Sequence, residues 1–516
     1  MEQRERCIGR WTAGIDKGLL RRAAVSVLLW GAAVYFYAFL NFTVSHDSLN
    51  EFIADYDWKI SLGRFLAPVY QEAVRGGLAM PWLIGVLSLA FLSLTVYALA
   101  RLTGLRSAWT VFLTAGVVTA MPSTFLIAVS YIHDLDSNML ALLLSVLAVC
   151  AWRTGKRPLL LLGAGLVTAA LGLYQSYLSV TVTGVMFLSL LDLLEGKTAK
   201  AVFLRGMEAV LMVGLGALVY GAALKIISIS PWMELHWGSY NSVTNVLRPE
   251  TLLSLDRSIA GCYRDFWAVL TRPHFGHGDG VSAAQCVLFA AALGALAYRA
   301  ICRRVRLSSV LLMVALLAVL PLGVNLSLAA NAGEAHDLMR CGFICVYLLA
   351  LLLLAPLCAC GRSCVRRCAV LALACLTWTL WQNVVDANQC LIKKELGRQA
   401  TAAVMNNVAR DMERQESYIP GETPVLFTDV PPVDTGLPES MDYLEGYTGV
   451  WKGEQIRDVE QYKKYFRYIL QRGVTVCSLE EYSELLCSGA VGAMPAYPQE
   501  GYMQMMDGVL VVKMAK

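Results

Sequence analysis

The sequence predicts an α-helical polytopic membrane protein with about eleven transmembrane helices, followed by a small C-terminal α/β domain on the extracytoplasmic side. Three observations carry this expectation: a composition too apolar for water, uncharged runs of spanning length, and a lopsided distribution of Lys and Arg. The chain of 516 residues is 57% hydrophobic and only 16% charged, with a mean hydropathy of +0.54, well outside the soluble globular range. Its net charge of +4, from 43 basic and 39 acidic residues, is too near balance to suggest nucleic acid as a partner. The lipid bilayer is the expected solvent.

A spanning helix needs about 20 mostly apolar residues. Runs of that kind lie near 23–42, 80–100, 108–129, 137–152, 158–174, 177–191, 206–224, 281–298, 308–327, 341–358 and 368–385. The uncharged stretch from Pro158 to Leu191 is too long for one span, and its polar centre Tyr174-Gln175-Ser176-Tyr177 predicts a tight helical hairpin.

Cytoplasmic loops retain Lys and Arg during insertion. Placing alternate connections inside puts 21 basic residues there, six of them before Ala23, and leaves nine in the longer outer loops. The N-terminus is therefore expected in the cytoplasm and the C-terminal domain on the extracytoplasmic side of the membrane. No small-residue cleavage site follows the first apolar run, so that run reads as a retained signal anchor.

The expected organisation is a transmembrane domain over residues 1–387 and an outer α/β domain over 388–516. Past Asn388, amphipathic patterns replace apolar runs: a helix from Leu391 to Glu416, a strand at Val425-Leu426-Phe427, and a helix from Ile456 to Leu470. Ser478 and Glu481 stand at capping-box spacing. Asp507-Gly508 is a type I′ hairpin signal between Tyr502–Met506 and Val509–Met514. The 15 cysteines include a cluster, Cys358, Cys360, Cys364 and Cys368, that resembles a metal site. Its place in a basic cytoplasmic turn, and the apolar settings of Cys150, Cys286, Cys345 and Cys375, favour packing instead.

Ionisable groups are costly at membrane depth, yet three acidic-plus-His clusters gather at outer helix ends. The first outer loop carries Ser45-His46-Asp47, then Glu51, Asp55, Asp57 and Gly63-Arg64-Phe65. The second carries His133-Asp134-Leu135-Asp136, and the fifth carries Glu334, His336, Asp337 and Arg340. Each has a structural reading: Asp47, Asp134 and Asp136 as helix caps, Arg64 and Arg340 as snorkelling residues, and the histidines as hydrogen-bonded packing groups. Their chemistry also suits transfer from a phosphate. Arg presents a bidentate fork to departing phosphate oxygens, and a carboxylate can take the proton of an attacking hydroxyl. Asp134 and Asp136, at alternate positions, are also the candidate ligands for a divalent cation such as Mg2+ or Mn2+. Trp232, His236, Trp237, Tyr240 and Trp267 form either an interfacial aromatic belt or a sugar platform.

Several short stretches, taken in order, resemble the bacterial serotype-converting glucosyltransferase (Gtr type II) family. They are Phe42-Thr43-Val44-Ser45-His46-Asp47 with Leu62-Gly63-Arg64-Phe65, then His133-Asp134-Leu135-Asp136-Ser137 and Tyr174-Gln175-Ser176-Tyr177. The tail adds Met494-Pro495-Ala496-Tyr497-Pro498-Gln499-Glu500-Gly501 and Val511-Val512-Lys513. The resemblance implies a GT-C-like membrane glycosyltransferase that takes a sugar, commonly glucose, from a polyprenyl phosphate carrier. It passes that sugar to a surface polysaccharide such as O-antigen outside the membrane. It implies an essential acid at Asp47 and a second at Asp134 or Asp136. His46, Arg64, His133, Tyr174, Gln175, Tyr177, His336 and Arg340 are the expected substrate-binding set. Asp47 is followed by Ser48 rather than by a second acid, which favours a base over a metal ligand there.

Two other classes share parts of this pattern. A transporter or flippase of a lipid-linked or small polar substrate would place charges near mid-membrane on broken helices, whereas here they gather at outer ends. A surface polysaccharide polymerase or ligase would share both topology and donor.

Overall fold

The computed structural model describes residues 14–41, 45–50, 52–53, 56–229, 254–271, 279–330, 336–433, 436–451, 455–487 and 489–515. Glu51, Asp55, Trp232, His236, Trp237, Tyr240 and Glu334, and the Phe42-Thr43-Val44 start of the first motif, lie outside the described residues.

The helices arise where apolar runs meet local start and stop signals. Helix α1 (Lys17–Leu40) is capped by Asp16, whose side chain accepts from the Leu19 amide. Three short helices of the following loop are α2 (His46–Asn50), α3 (Tyr56–Ser61) and α4 (Leu66–Arg75). Helix α5 (Pro81–Thr103) begins on proline and ends on Gly104 in the left-handed region. Helices α6 (Ala108–Thr119) and α7 (Pro122–Ser130) meet at a 52° bend. Pro122 causes it, because proline has no amide hydrogen and disfavours helical backbone before it.

The bundle continues with α8 (Leu135–Arg153), α9 (Arg157–Leu173), α10 (Leu178–Leu194), α11 (Ala199–Ser228) and α12 (Leu255–Thr271). It closes with α13 (Asp279–Cys302), α14 (Leu307–Val324), α15 (Leu326–Ala330), α16 (Phe343–Leu354) and α17 (Ser363–Glu413). The expected break at Tyr174 is present: that residue is extended between α9 and a 3-10 turn, Gln175–Tyr177, that leads into α10.

Among the described residues, eight helices are long and apolar enough to cross a membrane, and the bent α6–α7 pair makes a ninth. The two remaining expected segments form shorter apolar helices, Arg157–Leu173 and Phe343–Ala359. Large apolar side chains face outward on α11, with Leu211 70% and Leu218 72% exposed. Such faces are consistent with a multi-pass membrane protein, since water would penalise them.

One departure from the sequence expectation is a matter of continuity. The apolar run at 368–385 and the amphipathic helix expected from Leu391 form a single helix, α17, of 51 residues, about 76 Å long at the usual rise. Polar residues at its middle find partners without breaking it: the Asn388 amide donates to the Ala33 and Val384 carbonyls.

The C-terminal part contains a four-stranded sheet of order β2-β1-β4-β3, with β1 (Pro424–Phe427), β2 (Thr475–Val476), β3 (Met503–Met506) and β4 (Val509–Val512). Strand β1 runs parallel to β2 and β4, and β3 pairs antiparallel with β4. The β3–β4 turn has positive φ at both Asp507 (49°) and Gly508 (78°), the conformation its sequence predicts. Helix α18 (Val459–Tyr468) carries a complete capping box from Asp458 and Gln461. Ser478 and Glu481 also exchange their expected bonds, ahead of the short helices α19 (Ser483–Leu486) and α20 (Gly489–Ala493).

The sheet and α18 pack on the far end of α17, through a core that includes Met405, Met412, Phe427 and Tyr462. Leu49 of the first loop is 1% exposed in that same core, Lys464 donates to Asn50, and Phe52 stacks on Tyr468. The C-terminal part of the chain thus packs against the loop that carries His46 and Asp47.

Candidate functional site

A cavity of about 310 Å³ opens where these loops meet, and it is lined by residues far apart in sequence. Of the expected site residues, His46, Asp47, Arg64, His133, Asp134, Tyr174 and His336 all line it. Asp136, Gln175, Tyr177 and Arg340 do not.

Asp47 sits on α2, and it is not the cap of that helix. Ser45 fills that role, its hydroxyl accepting from the Ser48 amide at 3.1 Å. The Asp47 carboxylate is left 36% exposed at the cavity, with the His46 Nε2 at 3.3 Å. Burial holds the His46 imidazole below its ordinary pKa, with the Asp47 charge opposing that shift. The ring beside Asp47 is therefore neutral at neutral pH.

Asp134 stands at the start of α8, and its carboxylate makes no cap bond. It is gripped instead by Lys59 and by Gln71, whose Nε2 donates at 2.8 Å. Arg64 lies 3.8 Å from the same carboxylate. Two cationic side chains thus flank one carboxylate in a nearly dry setting, Lys59 being 1% exposed behind the cavity wall and Arg64 lining the cavity itself. The Arg64 guanidinium also lies over the Tyr174 ring at 4.5 Å.

Gln175 and Tyr220 explain why Arg64 points there. The Gln175 amide donates to the Leu62 carbonyl at 2.7 Å, and the Tyr220 hydroxyl donates to the Gly63 carbonyl at 3.0 Å. Tyr177 is buried edge-on to Tyr174, with ring centres 5.9 Å apart. Gln175 and Tyr177 thus support the wall without lining it.

Asp136 belongs to a separate buried pair with Arg75 at 3.2 Å and receives the Tyr70 hydroxyl. The two alternate carboxylates are therefore engaged by different cations. This donor set does not fit a divalent ion, because each carboxylate is already neutralised and turned toward its own partner. Among the described residues no three His, Cys, Asp or Glu side chains are grouped to hold a metal, and the 14 described cysteines are free thiols.

Arg340 is also committed elsewhere, in the same loop as His336. It forms a fork with Asp265, at 2.5 and 3.3 Å, and pairs with Asp337. It lines a separate small cavity with Gln285 and Asn383.

Sequence reasoning missed the far wall, made by Thr448 and Trp451 of the C-terminal part. A 3-10 segment, Glu439–Gly446, leads into it along the bundle. Tyr447 bonds the buried Asp386 of α17 and meets Phe125 edge-on, and Thr448 contacts Asp337. Gly449 has φ 80°, and a side chain there would come within 2.6 Å of the Ser130 Cβ. Trp451 lies 5.6 Å from His46, ring to ring, with Arg457 over its ring at 4.3 Å. Only the Gly449 turn and a lone Trp hinted at this wall in the sequence, and neither points to a contact with so distant a part of the chain.

Apolar helices here converge on a polar cavity, an arrangement consistent with a multi-pass membrane protein. The chain belongs to the glucosyl transferase GtrII family, whose model matches residues 36–381. Membership supports glycosyl transfer as its activity. No curated protein and no solved structure matches the chain. Thr448 and Trp451 lie beyond the matched region.

Proposed function

We propose that the protein transfers glucose from a polyprenyl phosphate to a surface polysaccharide on the extracytoplasmic face of a bacterial plasma membrane. The observation that carries this reading is the cavity where the Asp47 carboxylate shares a space with Arg64 and Asp134. The acceptor hydroxyl attacks the anomeric carbon, and Asp47 takes its proton. The bond from that carbon to the phosphate oxygen breaks, and the polyprenyl phosphate leaves with the electron pair. Arg64 meets the growing phosphate charge, since its Nε has no partner among the described residues and its fork suits two phosphate oxygens. Trp451 offers a flat apolar face to the acceptor sugar beside His46.

Membranes incubated with radiolabelled glucosyl polyprenyl phosphate and candidate surface glycans test the reading. Label appearing in glycan is expected. Donor crossing the membrane with no glycan labelled would favour a transporter instead.

Arg64→Lys keeps the charge but loses the planar fork. The donor KM is expected to rise roughly 10- to 100-fold, the worth of a charge-assisted bond, at unchanged abundance. The same change at Arg340, committed to Asp265 and Asp337, is expected to lower abundance rather than raise KM.

The basic asymmetry makes a topological prediction. Reporter fusions after Arg106, Arg157 and Arg304 are expected to report cytoplasm, and fusions after Asp136, Pro273 and Lys516 the outside. A cytoplasmic reporter at Lys516 would put the C-terminal domain on the wrong side for this acceptor.

A further inference from the structure

Buried polar atoms of residues that line this cavity and have no hydrogen-bond partner among the described residues include His46 Nδ1, Arg64 Nε and Asn138 Oδ1. The last differs in kind, because no charge or proton chemistry accounts for it. Asn138 stands one turn into α8 and is 5% exposed. Its Nδ2 donates to the Asp134 carbonyl at 2.8 Å, which fixes the amide so that Oδ1 is the free end. A buried acceptor without a donor costs about 1–3 kcal/mol, a penalty that a ligand hydroxyl would remove.

We infer that Asn138 is a specificity-determining residue that accepts a hydrogen bond from one hydroxyl of the donor hexose. This rests on the proposed transfer from a lipid phosphate. The donor ring is the hydroxyl source that position favours. Asn138 is hydrogen-bonded to the Asp134 backbone, and the Asp134 carboxylate adjoins Arg64, where the phosphate is placed, whereas the acceptor is placed by Asp47 and Trp451 on another wall. A hexose joined to that phosphate at its anomeric carbon would bring its remaining hydroxyls within a few ångströms. Asn138 lines that space and its one free polar atom is an acceptor, so a small side-chain turn toward the hexose would let it select a hydroxyl over a hydrogen or a methoxy group at one ring position.

The test crosses two deletions, one on the protein and one on the substrate. Purified wild type, Asn138→Ala and Asn138→Ser are assayed with glucosyl polyprenyl phosphate and with its 2-, 3-, 4- and 6-deoxy analogues. Wild-type transfer from the parent donor is the control for the proposed function itself, and its absence would fail that reading before this one is reached. For wild type, one deoxy analogue is expected to lower kcat/KM by roughly 10- to 100-fold, the cost of the orphaned acceptor. Asn138→Ala is expected to lose about as much on the parent donor and to lose little more on that same analogue. Asn138→Ser, which keeps an acceptor oxygen, is expected to fall between them. A structural role alone would slow all donors equally, with no dependence on any hydroxyl, and would overturn the assignment. Coupling to deoxy acceptors instead of deoxy donors would overturn it too. Should neither variant fold, the deoxy series on wild type alone decides: indifference to every deoxy donor rules the hydrogen bond out.

Discussion

Asp47→Asn is expected to lower glucosyl transfer about 10²- to 10⁴-fold, the usual worth of a positioned general base, while abundance and donor binding stay near wild type. The structural alternative has little hold, because Ser45 rather than Asp47 caps α2. The carboxylate is also partly exposed beside a neutral imidazole, so its loss strands no buried charge. Steady-state transfer and donor binding, measured on purified protein in lipid, separate the two readings. A variant that retains more than about a tenth of wild-type turnover, short of the lower end of that contribution, would remove Asp47 from the chemistry and leave the His46 wall as a binding surface only.

The second large effect concerns stability. Lys59→Met takes the nearest cation from the Asp134 carboxylate, whose side chain is 9% exposed, and leaves it to Gln71 and the more distant Arg64. Losing one partner of a buried pair typically costs about 3–5 kcal/mol, enough to empty the folded population of a marginal protein. The Arg64 guanidinium, 3.8 Å away, would be drawn onto Asp134 and away from the phosphate. We therefore expect sharply reduced abundance, and a raised donor KM in whatever protein survives. Replacing both partners, Lys59→Met with Asp134→Leu, is expected to restore much of the abundance, because an apolar pair of similar volume is often neutral at a buried site. Quantitative blotting of membranes and a thermal unfolding series in detergent read both outcomes. Equal abundance for the single and double variants would show that the pair carries little stability.

The helices were legible because their signals are local. Uncharged runs and Asp507-Gly508 at a hairpin each act over a few residues, and the structure follows them; the expected span over 108–129 is instead bent at Pro122. The long helix α17 was not legible as one piece, because composition shifts at Asn388 while helical geometry does not; Asn388 satisfies its amide against α1 and its own helix.

The site was legible in half. His46, Asp47, Arg64, His133, Asp134, Tyr174 and His336 were marked by polar residues kept at helix ends, where they are costly. What composition could not say was which carboxylates were already spoken for. Asp136 and Arg340 look like their neighbours in sequence, and only the positions of Arg75 and Asp265 show that each has its own partner. The wall made by Thr448 and Trp451 depends on a chain crossing with no sequence pattern of its own, fixed by tertiary contacts of Tyr447, Gly449 and Leu49.

In the proposed reaction one cavity holds both the donor phosphate and the group that activates the acceptor. A cryo-EM structure in lipid nanodiscs with glucosyl polyprenyl phosphate bound tests it most directly. Phosphate density is expected against Arg64 and Tyr174, with the hexose facing Asn138 and the anomeric carbon open toward Asp47. Phosphate density at Arg340, or anywhere that leaves Asp47 out of reach of the anomeric carbon, would contradict it.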